Sequence, residues 1–387
     1  MMPPKLHVTL GLAALAVAAI ASPSSGDERA PHWIRANFHA HAARDRVGDD
    51  GAETPLALHR ALRAEGFDFS VHSPHSTVNT GADAAANFHA QRAAEEKLEV
   101  PGLTIALGEE LTVAPGPNYQ SRTQVLGRSA PGNLNHLTVL GMTELVPSGT
   151  PLAAACDRVH ADGGLCIVNH PGPGPMMWEE GLWESPQNRG KVDALEVYNG
   201  QALSAIAIDF ESRYREATAY GGLGLHIAAT TGADTHGPKS VERARSRLAG
   251  LGSAGKLLKL VMPRPAEPRP ELSAATLVRA ASASLADVIA AVQARRTVAT
   301  YELGKLTVEC RGLGEVRKTG DVDLKIAFSR KLGEVTLYRE GSPVRSWLDV
   351  SEAEYKETVT QPTAYVWTAR DGAGRLTTSA IWFEPGK

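Results

Sequence analysis

LALHRALRAEGFDFSVHSPH, residues 56–75, holds one repeat of the fold in miniature. Leu56 to Glu65 reads as an amphipathic helix and Phe67 to Val71 as a strand, and the chain beyond that strand runs into a histidine, His75. The same alternation extends on both sides, from about residue 33 to residue 300. A helix is predicted near Ala84–Glu96 and a strand near Leu103–Leu107. Strand-like runs recur at Leu137–Leu140, Leu165–Val168, Ala194–Val197 and His226–Thr230. Helices fall near Pro151–Ala161, Ala202–Ala219 and Leu285–Arg295. Such a long alternation of β and α predicts a parallel α/β fold, open or closed into a barrel.

After Thr300 the pattern changes. Leu306–Cys310, Val322–Phe328, Glu334–Tyr338, Glu357–Thr360, Ala364–Ala369 and Ser379–Phe383 are short runs, several of them alternating, with glycine-containing turns between some of them. They predict a small antiparallel sandwich or half-barrel over 303–387. Pro263 to Pro270, rich in proline and charge, reads as a surface excursion. At the other end, Lys5 precedes the apolar run Val8–Ile20 and the small residues of Ala19-Ile20-Ala21. That is the pattern of a signal peptide over 1–21, cut after Ala21, with 22–32 as linker and 33–302 as the main domain. The run is shorter than the roughly 20 apolar residues that a stable span needs, so the mature chain is expected outside the cytoplasm, periplasmic or secreted, without a membrane helix.

A length of 387 residues suits two domains. Hydrophobic residues at 43% and charged residues at 21% are ordinary globular values. A net charge of −3 offers no electrostatic footprint for nucleic acid or an anionic membrane, and the evenly spaced Arg243, Arg245 and Arg247 read as a solvated face. Of the three cysteines, Cys156 and Cys166 either pair in an oxidising compartment or stay as buried thiols, and Cys310 is odd. No C-x-x-C is present, which argues against cysteine metal chemistry. Gly250–Gly255 satisfies G-x-G-x-x-G, but lacks the preceding strand and following helix of a dinucleotide site.

The chemistry is carried by where histidines and acids fall. Of thirteen histidines, His39, His41, His75, His136, His170 and His236 sit at or just past the ends of strand-like runs, where parallel α/β folds collect functional groups. His39 and His41 are two residues apart, so on a strand both point to one side and one ion can take both. Asp234 and His236 repeat that spacing after the run to Thr230. Asp45, Asp49 and Asp50 crowd the loop after His41. Gly108-Glu109-Glu110 follows the strand ending at Leu107, and Asn169-His170-Pro171-Gly172 follows the one ending at Val168. Nitrogen and oxygen ligands without sulfur suit two or three divalent ions such as zinc, manganese or iron.

The order H-x-H, Asp-Gly, strand-end His, G-x-E, lone His, His-Pro and Asp-x-His resembles the PHP (polymerase and histidinol phosphatase) family over roughly residues 33–300. The resemblance implies a distorted seven-stranded β/α barrel, TIM-barrel-like, with two or three metals at its C-terminal face. It matches His39 and His41 to the opening pair, Asp50 to the Asp-Gly, and His75 to the strand-end histidine. Glu110 matches the G-x-E acid, His136 the lone histidine, His170 the His-Pro, and Asp234 and His236 the final pair. It further implies that Glu110 bridges, that His39, His41 and Asp234 help hold one ion, and that His136 and His170 hold its neighbour. Asp50, His75 and His236 would hold a third. Glu196 and Asn199 resemble a supporting segment. Three positions depart from the family: Asn37 stands where Asp is usual, Pro74 replaces an Asp before His75, and the loop from His41 to Asp50 is long, leaving Asp45 or Asp49 as rivals.

A cluster of this kind makes hydroxide at neutral pH and neutralises charge in an in-line phosphoryl displacement, so no side-chain nucleophile is needed. No G-x-S-x-G is present. The expected activity is hydrolysis of a small-molecule phosphate mono- or diester, with Glu110 central to catalysis. The alternative is a carbamate or aryl-ester hydrolase on the same metals. A third reading makes the C-terminal sandwich a binder of a surface polymer. His72 is a candidate proton donor to the leaving group, and Arg122 and Lys239 are candidate contacts for phosphate oxygens. His32, His59, His89, His160 and His226 read as structural.

Overall fold

Thr54 opens the first helix by accepting the Ala57 N–H at 3.3 Å, and Pro55 follows where its missing N–H costs nothing. This helix, α1 (Pro55–Ala64), buries Leu58, His59 and Leu62 and ends before Gly66, whose φ of +84° turns the chain into strand β2 (Phe69–His72). The computed structural model describes residues 30–42, 53–76, 82–125, 128–172, 177–206, 210–237 and 270–386. The expected signal peptide, Asp45, Asp49, Asp50, Lys239, the 250–255 glycines and most of 263–270 lie outside them. Among the described residues no helix is long and apolar enough to cross a membrane.

The strands that follow are β1 (His32–Asn37), β3 (Thr104–Thr112), β6 (His136–Leu140), β7 (Leu165–Val168), β8 (Ala194–Asn199) and β9 (Ala228–Gly232), with a two-stranded ribbon of β4 (Arg122–Val125) and β5 (Arg128–Pro131) inserted after β3. Helices α2 (Ala84–Glu95), α3 (Leu152–Ala161), α4 (Gly200–Ile206) and α5 (Glu211–Thr218) lie between them. The sheet runs β1-β2-β3-β6-β7-β8-β9. Its first and last strands then meet, since Thr235 bridges Ala40 in parallel, His41 donates its N–H to Thr235 O at 2.9 Å, and Asp234 donates to His39 O at 2.7 Å.

The expectation of an all-parallel arrangement gives way at one strand. β6 runs antiparallel to both β3 and β7, because β3 reaches it through the β4–β5 ribbon and not through a crossover helix. That reversal carries two consequences. β3 does not stop at Leu107: Gly108 to Thr112 stay in the strand, held by Leu140 to His136 of β6. His136, the first residue of β6, therefore falls at the same end of the sheet as the last residues of its antiparallel neighbours β3 and β7. The helix expected over 202–219 is two helices, α4 and α5.

Beyond β9, β10 (Ala275–Ala280) pairs antiparallel with β1, and β11 (Thr297–Tyr301) with β10. Between them, α6 (Leu285–Gln293) packs Val288, Ile289 and Val292 on Ile34, Val71, Ala106, Leu140, Ile167 and Ala194. The C-terminal strands are β12 (Val308–Cys310), β13 (Val316–Lys318), β14 (Gly320–Arg339), β15 (Ser342–Val359), β16 (Thr363–Asp371), β17 (Gly374–Thr378) and β18 (Ile381–Glu384). They pack around Trp367, Tyr365, Leu324 and Val335, and β17 joins β11, so one hydrogen-bonded sheet runs through both parts: a mixed α/β protein with one large sheet. The runs 322–328 and 334–338 belong to one long strand, β14, whose polar middle residues, 329–331, lie exposed between the apolar stretches.

Candidate metal centre

Side chains alternate across a strand, and that period places the chemistry. The faces that bury Val71, Ala106, Leu140 and Ala194 in one apolar cluster present His75, Glu110, His136 and Glu196 further along the same chains. Glu110, 1% exposed, is the meeting point. Its Oε1 lies 2.8 Å from His136 Nδ1, 3.1 Å from His39 Nε2 and 3.3 Å from His170 Nε2. Its Oε2 lies 2.7 Å from His75 Nδ1 and 3.3 Å from His41 Nε2. Asp234 Oδ1 adds contacts of 3.3 Å to His41, 3.4 Å to His39 and 3.8 Å to His236. The His41 ring stacks on those of both His75 and His236, at 4.4 and 4.2 Å, and these two lie 5.9 Å apart.

The ligand atoms of His39, His41 and Glu110 lie within 4.8 Å of one another, as do those of His75, Glu110 and His136, and those of His41, His75 and His236. Of the expected ligands, the structure therefore brings together His39, His41, His75, Glu110, His136, His170, Asp234 and His236. Asp50 and Lys239 lie outside the described residues. Arg122 is exposed at the start of β4. His72 is not brought to Glu110. It precedes His75 by three residues and so faces the other way, towards α1 and α2, where Nδ1 meets Glu95 Oε1 at 2.6 Å.

A shell of amides and carboxylates aims these groups. Glu196 Oε1 lies 3.1 Å from His39 Nδ1, and its Oε2 accepts the His170 N–H at 2.6 Å and the Asn199 amide at 3.0 Å. Asn199 also donates to Asp234 Oδ2 at 2.9 Å. Asn169 donates to Glu110 Oε1 at 3.1 Å and accepts the Thr138 N–H, while Gln201 Oε1 lies 3.0 Å from His236 Nδ1. The roles of Asn169 and Gln201 escaped the sequence reading, although Asn169 adjoins His170 and Gln201 lies two residues beyond Asn199. Asn37 Oδ1 accepts the Ala233 N–H at 2.9 Å, tying β1 to the loop that bears Asp234.

His170 and Asp234 hold φ values of +30° and +47°, a region that non-glycine residues seldom adopt. Gly232 is required by close approach, since a Cβ there would lie 2.3 Å from both His39 Cβ and Glu196 Oε1.

The donor set fits divalent metal ions. His39 Nε2 and His41 Nε2 face each other at 3.2 Å, and the buried His41 Nδ1 and His170 Nδ1 have no hydrogen-bond partner. Burial, with the rings of His236 and His75 alongside, lowers the His41 pKa. Burial pushes His136 down to about 4 in spite of Glu110. Both are thus neutral imidazoles with a lone pair to give. Against burial, His136, His75 and His39 hold Glu110 well below the usual carboxylate range, and His39 and His41 do the same for Asp234. Against burial again, Asp234, Glu110 and Glu196 raise His39 well above its ordinary value, the mark of a position that attracts positive charge. Ionised oxygens and neutral nitrogens without sulfur suit hard-to-borderline divalent ions. His75, His236 and Asp234 keep 19%, 14% and 15% of their side-chain surface exposed, so the centre opens on that side.

No family model matches the chain, and no curated protein matches it. Among solved structures it is similar to a Bacteroides vulgatus two-domain protein described as containing a predicted PHP-like metal-dependent phosphoesterase, with 17% identity over 91% of this chain and 96% of that one, at a TM-score of 0.42. A chitin binding domain from Burkholderia pseudomallei aligns with 28% of this chain and 68% of its own, at 10% identity and a TM-score of 0.17. A Jonesia denitrificans lytic polysaccharide monooxygenase aligns with 18% of this chain and 57% of its own, at 7% identity and a TM-score of 0.16. In the order of its histidines and carboxylates along the chain, and in their convergence on one buried glutamate, this protein resembles the PHP family.

Proposed function

We propose that the chain is an exported metal-dependent hydrolase of phosphate mono- or diesters, with a di- or trinuclear centre at one end of a distorted seven-stranded barrel. Residues 33–302 would form that catalytic part and 303–387 a β-sandwich. The observation that carries the reading is Glu110, whose two oxygens meet five imidazoles, three on one oxygen and two on the other. A carboxylate so placed suits a bridge between ions. His39, His41 and Asp234 would hold one ion with it, and His136 and His170 a neighbour. His75 and His236, with a residue of the loop after His41 (Asp50 the first choice), would hold a third.

When bound, divalent ions supply the charge that activates water and stabilises the oxygens of a phosphoryl group in displacement. The protein's own share is positioning. Glu196 fixes the His39 ring through Nδ1, Asn169 fixes Glu110, and Asn199 fixes Asp234. Burial of His39, His41 and Glu110 excludes bulk water beneath the centre, so a substrate approaches from the side of His75 and His236. Zinc, manganese and iron all suit the donors, and a small ester suits the opening.

The test uses one purified sample with its metals measured, assayed on an aryl phosphate, a bis-aryl phosphodiester and an aryl carbamate. Phosphate-ester turnover is expected, with Glu110→Ala abolishing it and lowering bound metal. Turnover of the carbamate alone would reassign the substrate, and full activity and metal content in Glu110→Ala would remove the bridge.

A further inference from the structure

At the opposite ends of the same strands, a second set of metal-ligating atoms converges that the proposed reaction does not use. Cys166 is the second residue of β7, Asp193 immediately precedes β8, and His160 lies in the last turn of α3. His160 Nε2 is 2.8 Å from Asp193 Oδ2, and the Cys166 N–H donates to the same oxygen at 2.8 Å. The imidazole nitrogen, the Cys166 sulfur and the carboxylate oxygen all lie within 4.8 Å of one another. Cys156 precedes His160 by one helical turn on the same face of α3, and its buried side chain neighbours that of Cys166. Both thiols are fully buried, whereas His160 keeps 32% of its side chain exposed and gives an ion a way in.

We propose that Cys156, His160, Cys166 and Asp193 form a second, structural site for one thiophilic divalent ion of the zinc class, which ties α3 to the first residues of β7 and β8. A His–Asp ion pair explains two of the four groups. It leaves aside the Cys166 sulfur, which lies within 4.8 Å of both, and Cys156 beside it in the apolar cluster that also holds Ala155 and Val159. Three of the donors already converge, and with the Cys156 sulfur turned in, two sulfurs, one nitrogen and one oxygen would complete the tetrahedral set that zinc takes at structural sites. Without the ion, burial pushes the Cys166 thiol well above the usual thiol range. Thiols bind metal as thiolates, so binding releases protons and occupancy falls as the solution is acidified. No C-x-x-C is involved; a helical turn (Cys156 to His160) would do the work of that spacing.

Cobalt(II) separates this site from the Glu110 centre, which has no sulfur to give a thiolate-to-cobalt charge-transfer band. Metal-free full-length protein in reductant, titrated with Co²⁺, is expected to develop one such near-ultraviolet band whose saturated intensity corresponds to one thiolate-bound Co²⁺ per chain. The band should persist in Cys310→Ser and vanish in the Cys156→Ser/Cys166→Ser double variant. In His160→Ala, a change at a partly exposed position that spares the core, it should need at least about ten-fold more Co²⁺, with ester turnover at the Glu110 centre unchanged. A wild-type protein without the band, a band that survives the double variant, or an unaltered midpoint in His160→Ala overturns the proposal. So does a count under denaturing, non-reducing conditions that finds Cys310 as the one free thiol, since Cys156 and Cys166 would then be a disulfide.

Discussion

At the scale of single residues, Glu196 is the most informative side chain after Glu110. It touches no expected substrate position, yet one oxygen meets His39 Nδ1 and the other accepts the His170 N–H. A carboxylate behind a ligating imidazole fixes the tautomer and raises the basicity of the far nitrogen. Glu196→Gln keeps the shape and removes the charge, so metal affinity should fall by about 10–100-fold. Competition with a chelator measures that loss, while the melting temperature of the metal-free protein should barely move. Equal affinity in the variant would make Glu196 a packing residue. The side chains that gather around Glu110 were legible in the sequence because histidine and acid at strand ends form a chemical pattern. Asn169 and Gln201 were not, because a neutral amide carries no such signal until a partner is seen beside it.

Between elements, the outward face of β2 carries a buried polar knot that joins α1 to α2. Glu95 of α2 meets His72 Nδ1 at 2.6 Å and His59 Nε2 at 3.3 Å, and His59 Nδ1 lies 3.0 Å from Ser70 Oγ. Burial alone would raise Glu95, but the hydrogen bonds from His59 and His72 overcome it and bring the pKa down from 4.5 to about 2. The folded value is depressed, so this contribution is fully present above pH 4.5 and is lost as the pH falls towards 2. Its size is on the order of 3 kcal/mol. Urea titrations at a series of pH values should show wild-type stability declining across that window, and Glu95→Gln should lack this part of the slope. An identical slope in both proteins would assign the acid sensitivity elsewhere. The same knot explains why His72, a candidate acid by sequence, stands apart from Glu110: period-two alternation sends residues three apart to opposite faces.

At the scale of the whole molecule, the C-terminal strands are built into the wall that carries the metal centre. Strand β17 pairs with β11, Ser379 Oγ accepts the Ala229 N–H at 3.0 Å, and Tyr198 OH meets Thr377 Oγ1 at 2.7 Å. The Ala380 N–H reaches Tyr214 OH at 3.1 Å, and Trp382 lies in the same apolar cluster as Tyr214 and Ile227. Deleting 303–387 would strip partners from buried polar groups and uncover that cluster. The truncated chain should lose cooperative thermal unfolding, as read by circular dichroism. A cooperative transition with turnover unchanged would instead make the segment an appendage. By itself the sequence determined the alternation of strands and helices and singled out the histidines and acids that gather around Glu110, since hydrophobic period and side-chain chemistry are local properties. Tertiary structure alone decided that β6 runs backwards, which carries His136 to the Glu110 edge, and that Cys156 and His160 face Cys166 and Asp193. Strand direction and the meeting of distant segments follow from how connections route and which faces must be buried together, and no local window of sequence contains that information.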